Sequence, residues 1–222
     1  SLGLVGSEMC IRDRLLGETC HRVLSCHLGN GSSLCAIEDG VVRDTTMGLT
    51  PLDGLMMGTR SGDIDPSLLL PMAQKAGLDL EGIHNVINKK SGLLGVSGVS
   101  SDHRDVENAC AEGDERAQIA IDMLNYQIQK YIGSYAAAMN GLDAVIFTAG
   151  IGENSAELRE LIFDGLAHMG MILDRERNHV VGQIGVNRII SIDDSPIKIC
   201  VVTTDEEMRI ARETDNLVSQ LG

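Results

Sequence analysis

The chain has 222 residues, a formal net charge of −14, 43% hydrophobic and 23% charged residues, a globular composition with material for a substantial core. So acidic a surface repels phosphate backbones and anionic lipids, and an aromatic content of 2% with no Trp leaves no base-stacking platform, which excludes nucleic acid and membrane surfaces as partners. No apolar run approaches the roughly 18 residues of a membrane span, and the six scattered cysteines, without a Cys-x-x-Cys pair, read as reduced thiols of a cytoplasmic protein.

Residues 1–14 carry no periodicity and are set apart as a tail, leaving one domain over 15–222. Three β-rich segments come next, at 23–27, 33–38 and 41–45, separated by Gly29-Asn30-Gly31 and by Asp39-Gly40. Asn-Gly and Asp-Gly between such runs predict hairpins, hence three successive antiparallel strands. Residues 46–66 are rich in Gly, Met and Thr without a period, a long connection of the kind that is usually functional. Helices are predicted over 66–75 and 80–89, and a long one over 114–139. In the long helix Ala117, Ile121, Leu124, Ile128, Tyr131, Tyr135 and Met139 form a buried stripe. A strand at 144–148, a glycine-rich turn and a helix over 155–167 follow, with Asn154 as the expected N-cap and Glu157 closing a capping box. A last strand at 198–203 leads into a helix over 205–220, where Thr204 and Glu207 have capping-box spacing. Hairpins followed by strand-turn-helix units predict an α/β domain with a mixed sheet.

Three loops have the composition to hold a nucleotide. In His27-Leu28-Gly29-Asn30-Gly31-Ser32-Ser33 the glycines let the backbone approach a phosphate, and successive N–H groups with Ser hydroxyls can cradle it; an ordinary hairpin turn has the same letters. Thr148-Ala149-Gly150-Ile151-Gly152-Glu153-Asn154-Ser155 follows a strand and opens a helix, where an anion is favoured. It differs from a dinucleotide fingerprint because Ser155 occupies the third glycine position and the strand comes late in the chain. Ser101-Asp102-His103-Arg104-Asp105 reads either as a solvated, salt-bridged helix cap or as a loop whose His103 ring lies against a purine. Within 44–66, Arg60 is flanked by small residues and can reach a phosphate bidentately, or it pairs with Asp63 or Asp65; spacing alone leaves both open.

The stretch from Asp44 to Pro66 closely resembles a signature motif of the acetate kinase family, and the other three loops fall where that family has its nucleotide-binding segments. The resemblance covers the chain from about Thr19 onward and implies an actin-like, ribonuclease H-like ATPase domain, the C-terminal half of a kinase about twice this length. It also implies roles for particular residues. His27, Leu28, Gly29, Asn30 and Gly31 would touch the phosphates of ATP or ADP. Asp102, His103 and Arg104 would flank the adenosine together with Gly150, Ile151, Gly152, Glu153 and Asn154. Arg60 would stabilise the transition state of phosphoryl transfer to a small carboxylate, and Glu206 would help hold Mg²⁺, although Glu206 also reads as a favourable charge in a helix's first turn. His103 stands where family members often carry an aromatic residue. The groups implied for the other half, an Asn at the metal, a catalytic Asp and a second His, have no counterpart here, so this polypeptide alone is expected to lack kinase activity. The alternatives are a propionate kinase and a catalytically inactive nucleotide-binding or dimerisation module; a homodimer is implied in either case.

Overall fold

The computed structural model describes residues 16, 20–180, 188–203 and 214. The first three strands form as the Asp-Gly and Asn-Gly punctuation requires. Strand β1 (Arg22–Leu28) pairs antiparallel with β2 (Ser32–Glu38), which pairs antiparallel with β3 (Val41–Thr45). Asp39 and Gly40 both have positive φ, 51° and 78°, the requirement of a tight type I′ hairpin. Leu24, Cys26 and Leu28 alternate with Val23 along β1 and enter the cores on its two faces, so both sides of this strand are covered. All five residues of β3 are exposed, and it is an edge of the sheet.

Strands β4 (Ala144–Thr148) and β6 (Lys198–Val201) add parallel to β1, with the short β5 (Arg188–Ile189) antiparallel on β6. The order β3-β2-β1-β4-β6-β5 is a mixed sheet, and the five residues of β4 are all buried, as expected of a strand flanked on both sides and covered on both faces. The helices are α1 (Leu69–Ala76), α2 (Leu80–Lys89), α3 (Gly92–Ser97), α4 (His103–Ala111) and α5 (Glu115–Ala138), then α6 (Ala149–Asn154), α7 (Ala156–Asp164) and α8 (Arg175–His179).

The 24-residue helix α5 is started by Asp114, whose carboxylate accepts from the amides of Arg116 and Ala117. Its buried face is Ala117, Ala120, Ile121, Leu124, Ile128, Ile132, Tyr135 and Ala136. Ile132 therefore takes the core position expected of Tyr131, because a 3.6-residue repeat drifts from a strict seven-residue spacing. Tyr131 stands half-buried at the edge, and its hydroxyl hydrogen-bonds Asp63. Behind the sheet Phe147 of β4 meets Phe163 of α7 edge-on, centroids 5.5 Å apart.

Three expectations need correction. The glycine-rich turn after β4 is itself the short helix α6. The next helix spans Ala156–Asp164, shorter than expected, and its N-cap is Ser155, whose hydroxyl accepts from the amide of Leu158. Asn154 instead donates to the carbonyl of Gly150, and with Ser155 as the cap Glu157 falls one position short of the capping-box reach. The helix expected over 205–220, with Thr204, Glu206 and Glu207, lies outside the described residues except at position 214, and the segment 1–14 lies wholly outside them. Among the described residues no helix is long and apolar enough to cross a membrane.

Candidate functional site

Parallel strands β1 and β4 end side by side, His27 in register with Thr148. Chain reversals at the carboxyl ends of neighbouring parallel strands leave a crevice, the usual ligand position of an α/β sheet. Here β1 gives way to the turn 29–31 and β4 to α6. His27 Nδ1 and Thr148 Oγ1 are both buried with no hydrogen-bond partner among the described residues. Such orphaned atoms are uncommon in folded proteins.

The crevice is a cavity of about 840 Å³. Gly29 and Asn30 line it from the first turn, Ser101, Asp102, His103, Arg104 and Glu107 from the start of α4, and Gly150, Ile151, Asn154 and Ser155 from α6 and the cap of α7. The three loops singled out by composition thus meet in one place. Gly58 shows how tightly. Its amide donates to the Asn30 carbonyl at 3.0 Å, and a Cβ at position 58 would lie 1.8 Å from Asn30 Oδ1 and 2.7 Å from the Ser101 carbonyl oxygen. Only glycine lets the three backbones approach so closely.

The segment 46–66 lacks regular structure but is ordered by its main chain. Amides of Ser91, Leu93 and Leu94 at the start of α3 donate to the carbonyls of Thr59, Met57 and Gly58, while Leu55, Met56 and Met57 are buried. Arg60 projects from this scaffold. Its Nη1 donates to the Pro51 carbonyl at 3.1 Å, and a Cβ at Gly31 would lie 3.7 Å from it, so the guanidinium stands beside the turn 29–31 and outside the lining of the cavity proper. Of the two readings of Arg60, ion pairing with Asp63 or Asp65 is absent among the described residues. Asp63 instead accepts from Gly54 N and Tyr131, and Asp65 caps the turn at Ser67. A hydrogen bond to Asp63, together with burial and that neighbour's charge, pushes the Asp53 carboxyl up despite the opposing Gly54 amide.

The second wall is a helix start. Asp102 caps α4, accepting from the Arg104 amide at 3.0 Å, and its carboxylate also holds the Arg104 guanidinium at 2.6 Å. These bonds from Arg104 keep the Asp102 carboxyl low, at about 2. The solvated-cap reading of this loop is therefore right, and so is its place at the cavity. The His103 ring is only 2% exposed; it packs into the wall with Nδ1 3.3 Å from Glu107 Oε2, so a face-on platform for a purine is not what its burial offers.

The third wall hangs on a buried cation. Arg159 of α7 is 1% exposed; its Nη1 donates to the Gly152 carbonyl at 2.7 Å, its Nε to Asn178 Oδ1 at 2.7 Å and its Nη2 to the Asn178 carbonyl at 3.2 Å. Asn178 in turn donates to the Ala156 carbonyl. Burial lowers the guanidinium to about 10, against the raising charges of Glu157 and Glu160. Ala149, first residue of α6, sits at φ 66°, a left-handed conformation that a side chain resists. The six residues of α6 are too few for a strong helix dipole, so the anion argument made for this turn from the sequence loses most of its weight.

Leu28 is buried in the core, so only its backbone can face the turn, and Gly152 is buried within α6 while Gly150, Ile151 and Asn154 line the cavity. Glu153 folds back to accept from the Ala149 amide at 2.9 Å. Glu206 lies outside the described residues, and among those described no group of three or more His, Cys, Asp or Glu is placed to hold a metal. Sequence reasoning missed Glu107, Arg159 and Asn178. The i, i+4 spacing of His103 and Glu107 was a usable signal. So was an arginine standing in the apolar face Leu158, Ile162, Phe163.

The acetokinase family model matches residues 13–212. The acetate kinase of Agathobacter rectalis is 54% identical over 197 residues, 89% of this chain and 49% of that protein. The crystal structure of Porphyromonas gingivalis acetate kinase superposes with a TM-score of 0.88 at 44% identity, over 96% of this chain and 53% of that one. A propionate kinase from Francisella tularensis gives 0.86 at 40% identity over the same shares, 96% and 53%. The chain spans about half the length of the relatives it matches. The mixed sheet with flanking helices is the actin-like ATPase arrangement that the resemblance implied.

Proposed function

The chain belongs to the acetokinase family, and from that membership we propose that it is the C-terminal, nucleotide-binding half of an acetate kinase, which transfers the γ-phosphoryl group of ATP to a carboxylate oxygen of acetate. The observation that carries this reading is the convergence of the turn 29–31, the start of α4 and the α6 turn on one cavity of about 840 Å³, a volume within the range of small-molecule and cofactor sites.

In this reading the adenosine lies between Asp102–Arg104 and Gly150–Asn154, and the phosphates run along His27–Gly31 toward Arg60. In-line transfer passes through a loose transition state with charge spread over three equatorial oxygens, so catalysis is mostly positioning and electrostatics. The Arg60 guanidinium, beside Gly31 and without a carboxylate partner among the described residues, has its charge free for that state. Local amides and this one cation would bind the triphosphate against an overall field of −14. Mg²⁺ would arrive with the nucleotide to neutralise phosphate charge, and Glu206 is the residue the resemblance nominates for it. The complete enzyme would be a homodimer in the cytoplasm.

Propionate is the second acceptor to weigh, because a propionate kinase superposes nearly as well. One methylene is worth only about 1–3 kcal/mol of discrimination, and the acyl pocket would belong mostly to the part of the relatives that this chain does not span. Calorimetric titration of the purified chain with ADP tests the central claim: saturable binding at millimolar or tighter affinity is expected, and none would refute the nucleotide site. Without the other half's catalytic groups the chain should form no ADP from ATP and acetate in a coupled assay. Robust turnover would refute that expectation.

A further inference from the structure

Two of the three walls of the cavity, those at α4 and α6, have different supports. α4 packs on α5 and on α3, whereas α6 rests on β1 and β4, and α7 on α5 and α8. Between the wall at Asp102–Arg104 and the wall at Gly150–Ser155 stands one carboxylate, Glu107, with a different partner on each oxygen. Its Oε1 accepts from the Ser155 hydroxyl at 2.6 Å, and its Oε2 lies 3.3 Å from Nδ1 of the buried His103, one turn back on its own helix. The same Ser155 oxygen accepts from the Leu158 amide at 3.1 Å and so caps α7. A continuous chain of polar contacts thus runs from inside α4, through Glu107, to the first turn of α7.

We propose that Glu107 is a positioning residue that fixes the width of the nucleotide cavity by bridging the α4 and α6 walls, with His103 and Ser155 as its anchors; this rests on the nucleotide reading of the cavity. Glu107 is part of the lining but acts through Asp102–Arg104 and Gly150–Asn154, the segments that would flank the adenosine. Burial opposes its charge, yet the hydrogen bonds from His103 and Ser155 outweigh it and hold the carboxyl below its usual range, so the bridge is ionised at neutral pH. The burial of His103 gains a purpose here. Its ring, buried in the wall with Nε2 unpartnered among the described residues, meets the carboxylate through Nδ1 rather than offering a face to the purine.

Without the bridge the walls separate, and only a fraction of molecules presents the binding-competent width; apparent affinity falls by that fraction. The experiment is an ADP titration of the full chain and of three variants, Glu107→Ala, Glu107→Gln and the double variant Glu107→Ala/Ser155→Ala, with amide hydrogen exchange on each. Glu107→Ala should weaken ADP binding about tenfold. Glu107→Gln, whose amide oxygen still accepts from Ser155, should stay within about threefold. Ser155→Ala also removes the cap of α7, which should lower the urea midpoint, but the double variant should lose little further ADP affinity, since its Ser155–Glu107 bond is already broken in Glu107→Ala. Exchange in Glu107→Ala should rise at 101–104 and 150–155 while the core of α5 keeps its protection. Equal ADP affinity for Glu107→Ala and the unsubstituted chain, or Glu107→Gln binding as weakly as Glu107→Ala, overturns the bridge. Failure of the unsubstituted chain to bind ADP overturns the nucleotide reading and this inference with it.

Discussion

The turn after β1 and the turn after β4 look alike in sequence, Gly29-Asn30-Gly31 against Gly150-Ile151-Gly152, and both cap parallel strands in register. They are held in place by different physics. The first is a hairpin locked by the β1–β2 ladder and by the Gly58 amide, so its geometry comes from main-chain bonds. The second is a six-residue helix that starts on a left-handed alanine and whose Gly152 carbonyl is pinned by the buried Arg159. A glycine pair therefore does not specify how a ligand loop is held. Ladder pairing makes one turn robust to side-chain changes, whereas the other depends on single side chains, Arg159 in the next helix and Asn178 behind it.

The sharpest way to separate the two is at their supports. Arg159→Ala leaves the Gly152 carbonyl and Asn178 without their donor in a buried site and should cost about 3 kcal/mol of stability. Exchange should rise at α6 while the turn 29–31 keeps its protection, and equal loosening of both turns would erase the contrast drawn here. Next comes Gly58→Ala, whose Cβ would overlap Asn30 Oδ1 at 1.8 Å. Overpacking of this kind costs about 1–3 kcal/mol, and here it should fall on the first turn, seen as weaker ADP binding with α6 unchanged in exchange. A variant that binds ADP like the parent would mean that Asn30 can move freely.

Asp143 offers a pH test of the ladder side. It accepts from the amides of His21 and Arg22 and from the Arg22 guanidinium, anchoring the entry of β1. Burial raises its pKa, but the Arg22 and His21 bonds outweigh that and hold it below the usual value. A folded pKa below the unfolded one means that stabilisation is complete above about pH 4 and is lost as pH falls through the folded pKa. Asp143→Asn should lower the urea midpoint at pH 6, with a difference that shrinks by pH 3; a constant difference would assign the effect to packing. The smallest effect belongs to Ala149→Gly, which relieves the positive φ and should stabilise the chain by about 0.5–1 kcal/mol. A loss of stability would mean that the alanine methyl packs well enough to offset its strain.

The fold was largely legible in the sequence because its signals are local. Asp39-Gly40 specified a turn that requires two positive φ values, and the apolar alternation of β1 and the stripe of α5 followed the strand and helix periods. Misreadings came where two local signals competed. Asn154 and Ser155 are both good caps, and the choice of Ser155 is tied to a tertiary partner, Glu107, that no local rule can see. At the site, loop composition found Gly29, Asn30, Asp102 and Gly150, but the supports Glu107, Arg159 and Asn178 exist only through long-range contacts. Arg60 is the intermediate case. Its small neighbours allowed either a phosphate or an aspartate partner, and the aspartates are engaged elsewhere, Asp63 with Tyr131 of α5 and Asp65 with Ser67.

The most direct measurement is hydrogen exchange on the purified chain at saturating ADP. One shared pocket predicts that 29–31, 102–104 and 150–155 gain protection together, at the same nucleotide concentration. Protection of a single segment, or of none, would contradict a common nucleotide site built from all three.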